Sequence, residues 1–126
     1  MLRQNRNHRI LKEIGYQREA VLEYAKRWAK GRNPRYLDFE HMGGDCTNFA
    51  SQCIYAGSGV MNYTPTMGWY YSSGSNRSPS WTGVVYLYNF LTGNKSAGPY
   101  GVETNEKGVE PGDIVQLGNK NGYYHS

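Results

Sequence analysis

The sequence predicts a single α+β domain in which helices come first and strands come last. In residues 16–30, 44–57 and 80–91, apolar residues recur at helical spacing, three to four residues apart, whereas residues 109–126 combine a turn signal with two short strand-like runs. A chain of 126 residues, 38% of them hydrophobic, is long enough for one small domain and too short for two. We therefore expect segregated helices and strands around one modest core.

Three helices are expected ahead of the strands. Residues 16–30 place apolar side chains on one face and charged side chains on the other, and Trp28 lies on the face expected to meet the core. Residues 44–57 follow a Gly-Gly turn and form the second helix. Residues 80–91 form the third helix, with Ser80 as its N-cap.

The segment of residues 57–80 is expected to be a long irregular loop, because Gly, Ser, Asn and Pro occur throughout it. Long loops in compact domains are often functional, and aromatic side chains suit binding surfaces. We therefore interpret four aromatic residues in or beside it as one wall of a substrate groove: Trp69, Tyr70, Tyr71 and Trp81.

The C-terminal segment is predicted to form a β-hairpin. Residues 110–113 read Glu-Pro-Gly-Asp, which is a turn signal. Residues 114–117 are expected to form one strand and residues 123–126 the next, joined by a hairpin loop over residues 118–122.

Cys46 is the strongest candidate for a reactive residue. It follows Asp45 at the predicted start of the second helix, where backbone N–H groups without intrahelical partners carry partial positive charge. Such a position favours the thiolate, which is the nucleophilic form, and the N–H of Cys46 can stabilise an oxyanion. Asp45 is expected to shape the turn. His125 is the candidate base, and His41, just before the Gly-Gly turn, is the reserve.

The second cysteine, Cys53, is expected to be a buried structural residue. It lies seven residues after Cys46, about 10 Å along the same helix, which is too far for a disulfide. No paired Cys/His spacing typical of a zinc site occurs, and cysteine chemistry requires neither a metal nor an organic cofactor.

Charge concentrates at the N-terminus. The chain has a net charge of +4, and four basic residues precede the first acid. We interpret residues 1–15 as a basic arm, either a solvated chain end or a segment that binds an anionic polymer, and expect no nucleic-acid partner. His8 lies in this arm and is a weak candidate base. No apolar run is long enough to span a membrane, and no signal peptide is visible.

Several motifs occur in a familiar order: Tyr-Ala-x-x-Trp-Ala (24–29), Arg-Asn-Pro (32–34), Gly-Gly-Asp-Cys-Thr-Asn-Phe-Ala-Ser-Gln (43–52), Gly-Trp-Tyr-Tyr (68–71), Ser-Trp-Thr-Gly-Val (80–84), Pro-Gly-Asp-Ile-Val-Gln (111–116) and His-Ser (125–126). Together they resemble the bacterial "putative amidase domain" family, a branch of the NlpC-type, papain-like cysteine peptidase superfamily. The resemblance covers roughly residues 16–126.

The resemblance implies a papain-like fold in which Cys46 is the nucleophile at a helix N-terminus and His125 is the base on a packed antiparallel sheet. It also implies a peptide or peptidoglycan substrate and a secreted or cell-wall-associated parent protein in a bacterium of the Gram-positive type. In similar domains the sheet continues beyond the histidine and supplies a third residue that orients it. We therefore expect a domain truncated after Ser126, whose open sheet edge favours a dimer or domain swap.

Amide hydrolysis is the leading functional hypothesis, and two alternatives remain open. A non-catalytic wall-binding module would keep the fold and would have no need of a reactive thiol. An acyl transferase would use the same Cys46 and His125 but pass the acyl group to an amine.

Overall fold

In the computed structural model, residues 3–5, 13–42 and 44–126 are described. Its elements are, in chain order, β1 (Arg3–Asn5), β2 (Glu13–Gly15), α1 (Arg18–Trp28), a 3₁₀ turn (Glu40–Met42), α2 (Asp45–Ser58), β3 (Tyr71–Ser73), β4 (Asn76–Arg77), α3 (Pro79–Thr82), α4 (Val84–Gly93), β5 (Gly98–Tyr100), β6 (Leu117–Asn119) and β7 (Gly122–His125). Helices and small antiparallel sheets together confirm the α+β class, whereas a papain-like architecture stays a prediction.

The strands are distributed differently from the predicted order. The three-stranded sheet has the order β2-β1-β5, with Gln4 opposite both Ile14 and Pro99. Parts of the expected N-terminal arm are thus strands, and the expectation that all strands come last was wrong. Pairing between residues nearly a hundred positions apart leaves no local sequence signal. His8 and most of the basic arm lie outside the described residues.

The second helix has the predicted bounds to within a residue. Gly44 is its N-cap, and α2 ends at Gly59, whose N–H donates to the Tyr55 carbonyl at 2.8 Å. Gly59 has φ 70°, in the left-handed region that glycine adopts without strain. The first helix begins at Arg18, slightly later than expected.

The predicted third helix is two helices. Gly83 has extended backbone angles, φ −110° and ψ 124°, so it ends α3 and serves as the N-cap of α4. Its N–H donates to the Pro79 carbonyl at 2.9 Å, and its carbonyl accepts from the Leu87 N–H at 2.8 Å. The apolar spacing continues across the break, which is why periodicity alone predicted one helix.

Part of the predicted loop is also regular. An isolated bridge joins Asn62 to Trp69, and β3 and β4 form a short hairpin. At the C-terminus the hairpin is confirmed, but its first strand is β6, so residues 114–116 precede the strand. The connection between β6 and β7 has two residues, Lys120 and Asn121, and is therefore tighter than the predicted loop.

Aromatic side chains fill the centre of the core. Trp69 and Trp81 are both 0% exposed, and their ring centroids lie 4.8 Å apart. Tyr36 stacks on Trp81 at 5.9 Å, and Tyr71 packs against the same indole at 5.8 Å. The interpretation of Trp69, Tyr71 and Trp81 as a groove wall was therefore wrong, because these buried rings offer a ligand little or no surface. Tyr70 remains partly exposed.

Buried polar side chains on α2 accept hydrogen bonds from the indole N–H groups of both core tryptophans. The Trp81 indole N–H donates to Asn48 Oδ1 at 3.0 Å. The Trp69 indole N–H donates to Ser51 Oγ at 3.1 Å, and the Ser51 hydroxyl donates to the Trp81 carbonyl at 2.9 Å. Because unpaired buried polar groups are costly, these bonds fix α2 in one position against α3.

Among the helices described, none is long and apolar enough to cross a membrane.

Candidate functional site

The site centres on the first turn of α2. Gly44 packs so closely on α3 that a Cβ atom there would lie 2.7 Å from the Thr82 carbonyl oxygen. The Asn48 N–H donates to the Gly44 carbonyl at 2.8 Å, which is the first bond of the helical ladder. The N–H groups of the preceding residues, Cys46 included, are therefore those that an α-helix leaves without intrahelical partners.

Asp45 ties the incoming chain to this helix tip. Its carboxylate accepts two hydrogen bonds from the Arg32 guanidinium, at 2.9 and 3.1 Å, one from the Phe39 N–H at 3.2 Å and one from Asn48 Nδ2 at 3.3 Å. The paired guanidinium is the main reason that the pKa of Asp45 lies below its usual value. Arg32 thereby offsets the negative charge that stands next to Cys46.

Arg32 is surrounded by further acids. Its guanidinium lies 3.2 Å from the Asp38 carboxylate and 3.9 Å from that of Glu40. With Asp45, three carboxylates therefore face one guanidinium.

A cleft of about 280 Å³ opens beside Cys46, between the end of α1, the connection after it and the first two turns of α2. Its lining includes Trp28, Arg32, Asn33, Cys46, Phe49 and Gln52. Trp28 is half-buried and lines this cleft, so the expectation that it belongs to the core was wrong.

A chain of hydrogen bonds holds polar groups in the cleft. Asn33 Nδ2 donates to the Tyr24 hydroxyl oxygen at 3.2 Å, and the Tyr24 hydroxyl donates to Gln52 Oε1. Burial raises the pKa of Tyr24, so its hydroxyl keeps the proton that it donates. Gln52 is only 6% exposed and is held in one orientation by this bond.

The C-terminal strand reaches the same helix tip. The Thr47 hydroxyl donates to Ser126 Oγ at 3.2 Å, and Gln116 Nε2 donates to Ser126 Oγ at 3.1 Å. Thr47 follows Cys46 directly, and Ser126 follows His125 directly. The structure thus brings the neighbours of the two candidate residues into contact, and the His125 side chain is exposed.

Residues 111–113, which precede the C-terminal hairpin, are bonded to residues at or just before the start of α1. The Arg18 guanidinium lies 2.9 Å from the Asp113 carboxylate and donates to the Pro111 carbonyl at 2.9 Å. The Tyr16 hydroxyl donates to the Gly112 carbonyl at 2.8 Å. These contacts between distant parts of the chain limit where β7 can lie relative to α2.

The other candidate residues, His41, Cys53 and Tyr70, take no part in the hydrogen bonds that join Ser126 to α2. His41 is exposed on the 3₁₀ turn that precedes α2. Cys53 is buried, as expected, and burial raises the pKa of its thiol to about 12, so it is protonated at neutral pH. Tyr70 pairs with exposed Tyr63, with ring centroids 5.6 Å apart.

Four residues that line the cleft were not among the predicted site residues: Trp28, Arg32, Asn33 and Gln52. One signal was available for Gln52, since it lies three residues after Phe49 and is therefore its neighbour on the surface of α2. A larger cavity of about 490 Å³ lies between α4 and the segment of residues 101–116. None of the residues predicted for the site lines it.

The Arg32–Asp45 pair predicts a pH dependence of stability. A carboxylate whose folded-state pKa is lowered stabilises the fold above the unfolded value of about 4, and this contribution is lost as pH falls through the folded pKa. We expect Asp45→Asn to lower the melting temperature by a few degrees at pH 6, with the gap from the unmodified chain narrowing toward pH 2.5. Thermal denaturation at a series of pH values measures this.

The matched control is Asp38→Asn, which removes an acid from the same guanidinium but leaves α2 untouched. A gap for Asp45→Asn that is constant with pH, or equal to that of the control, would contradict this role for the pair.

Comparison with known proteins places this chain in a family. A family model described as "Putative amidase domain" matches residues 15–126. The chain is similar to an uncharacterized protein of Bacillus subtilis (strain 168), YhbB, at 34% identity over 103 residues, which cover 79% of this chain and 32% of that protein. No solved structure gives a significant match. Since the family match spans nearly the whole chain, including both α2 and β7, the chain belongs to this amidase-domain family, whose description denotes hydrolysis of amide bonds.

Proposed function

We propose that the chain is a cysteine-dependent amide hydrolase in which Cys46 is the nucleophile and His125 the general base. The hydrogen bond between Thr47 and Ser126 is the observation on which this rests, because it joins the residue after each candidate at the tip of α2. The half-buried position of Cys46 at a cleft supports the same assignment, since a nucleophile must be reachable by substrate.

The reaction has two halves. His125 takes the thiol proton as Cys46 Sγ attacks the amide carbonyl carbon, and it gives that proton to the nitrogen of the leaving amine. A thioester with Cys46 remains. Water then attacks the thioester carbonyl and gives a proton to His125, which returns it to the thiol as the carboxylic acid leaves. One amide and one water therefore give one acid and one amine, and the enzyme is restored.

The helix tip suits the charge that develops in this reaction. The tetrahedral intermediates place a negative charge on the former carbonyl oxygen, and the N–H of Cys46 is among the first-turn donors of α2. Asp45 stands beside this position, but Arg32 pairs with its carboxylate at 2.9 Å and reduces its opposition to an oxyanion.

We extend the proposal to peptide or peptidoglycan as the substrate, and to a secreted or wall-associated parent protein as the setting. The support for this extension is the resemblance of the motifs around Cys46 and His125 to wall-directed cysteine peptidases. A half-buried aromatic side chain, Trp28, in the cleft is compatible with a peptide or sugar ligand.

The assignment of Cys46 is tested by its alkylation with iodoacetamide, followed by peptide mass spectrometry. We expect Cys46 to react faster at pH 6 than free cysteine in the same solution, because an ordinary thiol with a pKa of about 8.5 is almost fully protonated there. Cys53 serves as the internal control. Its buried thiol, with its pKa raised to about 12, should react at least about a hundredfold more slowly than Cys46.

A His125→Asn chain tests the base in the same assay. We expect it to lower the rate at Cys46 and to change the pH profile of that rate. If Cys46 is alkylated no faster than free cysteine, and its rate is the same in the His125→Asn chain, the nucleophile assignment fails. A non-catalytic binding module is then favoured.

A further inference from the structure

Gln52 presents an unused hydrogen-bond donor in the cleft beside Cys46. It is more than nine-tenths buried and lines the cleft, and among the described residues its Nε2 has no hydrogen-bond partner. Its Oε1 is occupied by the Tyr24 hydroxyl. An amide N–H that faces a cleft and has no partner in the chain can donate to a ligand or to water.

The orientation of the Gln52 amide follows from its neighbours. Asn33 Nδ2 already donates to the Tyr24 oxygen at 3.2 Å, and the Tyr24 proton needs an acceptor. Only Oε1 of Gln52 can accept it, since an amide nitrogen has no lone pair to offer. The relay therefore turns the N–H groups of Gln52 away from Tyr24 and leaves them available.

The position along the helix sets the distance to the reacting bond. Gln52 follows Cys46 by six residues, which corresponds to a rise of about 9 Å along the helix axis and a rotation of about 120° around it, and both residues line the cleft. An extended peptide that follows the helix axis advances about 3.3–3.6 Å per residue, so the rise matches two to three residues. Trp28 and Phe49 line the same cleft and provide apolar surface for the part of a ligand in between.

The charges in the cleft limit what the acceptor can be. The charged side chains that line the cleft, Arg32 and Asp45, pair with each other at 2.9 Å. The cleft therefore offers a ligand no unpaired charge, and an uncharged amide carbonyl is the matching acceptor for the Gln52 N–H.

We propose that Gln52 is a specificity-determining residue whose amide N–H binds a main-chain carbonyl of the substrate two to three residues from the scissile amide. The inference rests on the proposed role of Cys46 and narrows the substrate class to extended peptides with uncharged amide carbonyls at that position. A short amide without such a carbonyl would lose this contact.

Two alkylating reagents of equal length test the proposal. Chloroacetyl-glycyl-glycinamide has amide carbonyls along its chain, whereas N-hexyl chloroacetamide has none beyond the reactive group. The rate at which each modifies Cys46 is measured by mass spectrometry, and the ratio of the peptide rate to the hexyl rate is the readout. We expect Gln52→Met to lower this ratio about tenfold, as befits one lost hydrogen bond.

Two further variants test whether a change in the ratio is due to the Gln52 donor. Gln52→Glu keeps the acceptor for Tyr24 and removes the donor, so we expect the same direction of change even if Gln52→Met is poorly folded. Gln17→Met makes the matched change at a residue outside the cleft and should leave the ratio unchanged. An unchanged ratio in both Gln52 variants, with Cys46 still reactive, would overturn the role of Gln52 alone. A Cys46 inert to both reagents in the unmodified chain would overturn the nucleophile assignment and this inference together.

Discussion

Replacing Cys46 with alanine should abolish amide hydrolysis. We expect the rate at which the 126-residue chain releases amines from purified peptidoglycan to fall by at least about a thousandfold, since loss of the nucleophile in enzymes of this type costs that much or more. The release of new amino groups over time measures the rate. Cys46 is only half-buried in the first turn of α2, so the variant should fold normally.

Cys53→Ala is the matched control for this experiment. It removes the other thiol from the same helix, at a buried position far along α2, and should retain hydrolysis. A folded Cys46→Ala chain that still hydrolyses peptidoglycan at the unmodified rate would contradict cysteine catalysis. An unmodified chain that binds peptidoglycan without releasing amines would favour the binding-module alternative.

Replacing Trp81 with alanine should destabilise the fold more than other single changes discussed above. The indole is fully buried, packs against Trp69 and Tyr36, and donates to Asn48. Phe/Trp→Ala changes in cores cost about 3–5 kcal/mol, and the buried Asn48 oxygen would also lose its donor. Since small domains are stable by only about 5–15 kcal/mol, we expect a large fall in the urea midpoint of unfolding.

Two comparisons separate this effect from a binding role. Tyr86→Ala removes an aromatic ring that is 61% exposed and should change the unfolding free energy by less than about 0.5 kcal/mol. Trp81→Phe keeps an aromatic ring, so its loss of unfolding free energy should lie between those of Trp81→Ala and Tyr86→Ala. If Trp81→Ala unfolded at the same urea concentration as the unmodified chain, its placement at the centre of the core would be contradicted.

The local elements were predictable where one short segment decides them. The Gly-Gly turn followed by apolar residues at helical spacing predicted α2 to within a residue. The strand-like runs on either side of residues 118–122 predicted the C-terminal hairpin, although its first strand begins at Leu117. The break at Gly83 was missed, because an apolar stripe can continue across two helices. The pairing of β1 with β5 was missed because it depends on contacts distant in sequence.

The sequence by itself determined that a cysteine stands in the first turn of a helix, because capping and periodicity act over a few neighbouring residues. It could not determine which aromatic residues are buried. Trp69 occurs in a loop-like segment and Trp81 at the start of a predicted helix, and both form the core, whereas Trp28 has helical periodicity and lines the cleft. Only the tertiary structure decided this, because burial depends on which segments pack together. The same holds for Gln52. The orientation of its amide is set by the hydrogen bond from Tyr24, 28 residues away, and by the hydrogen bond that Asn33 donates to Tyr24, 9 residues away.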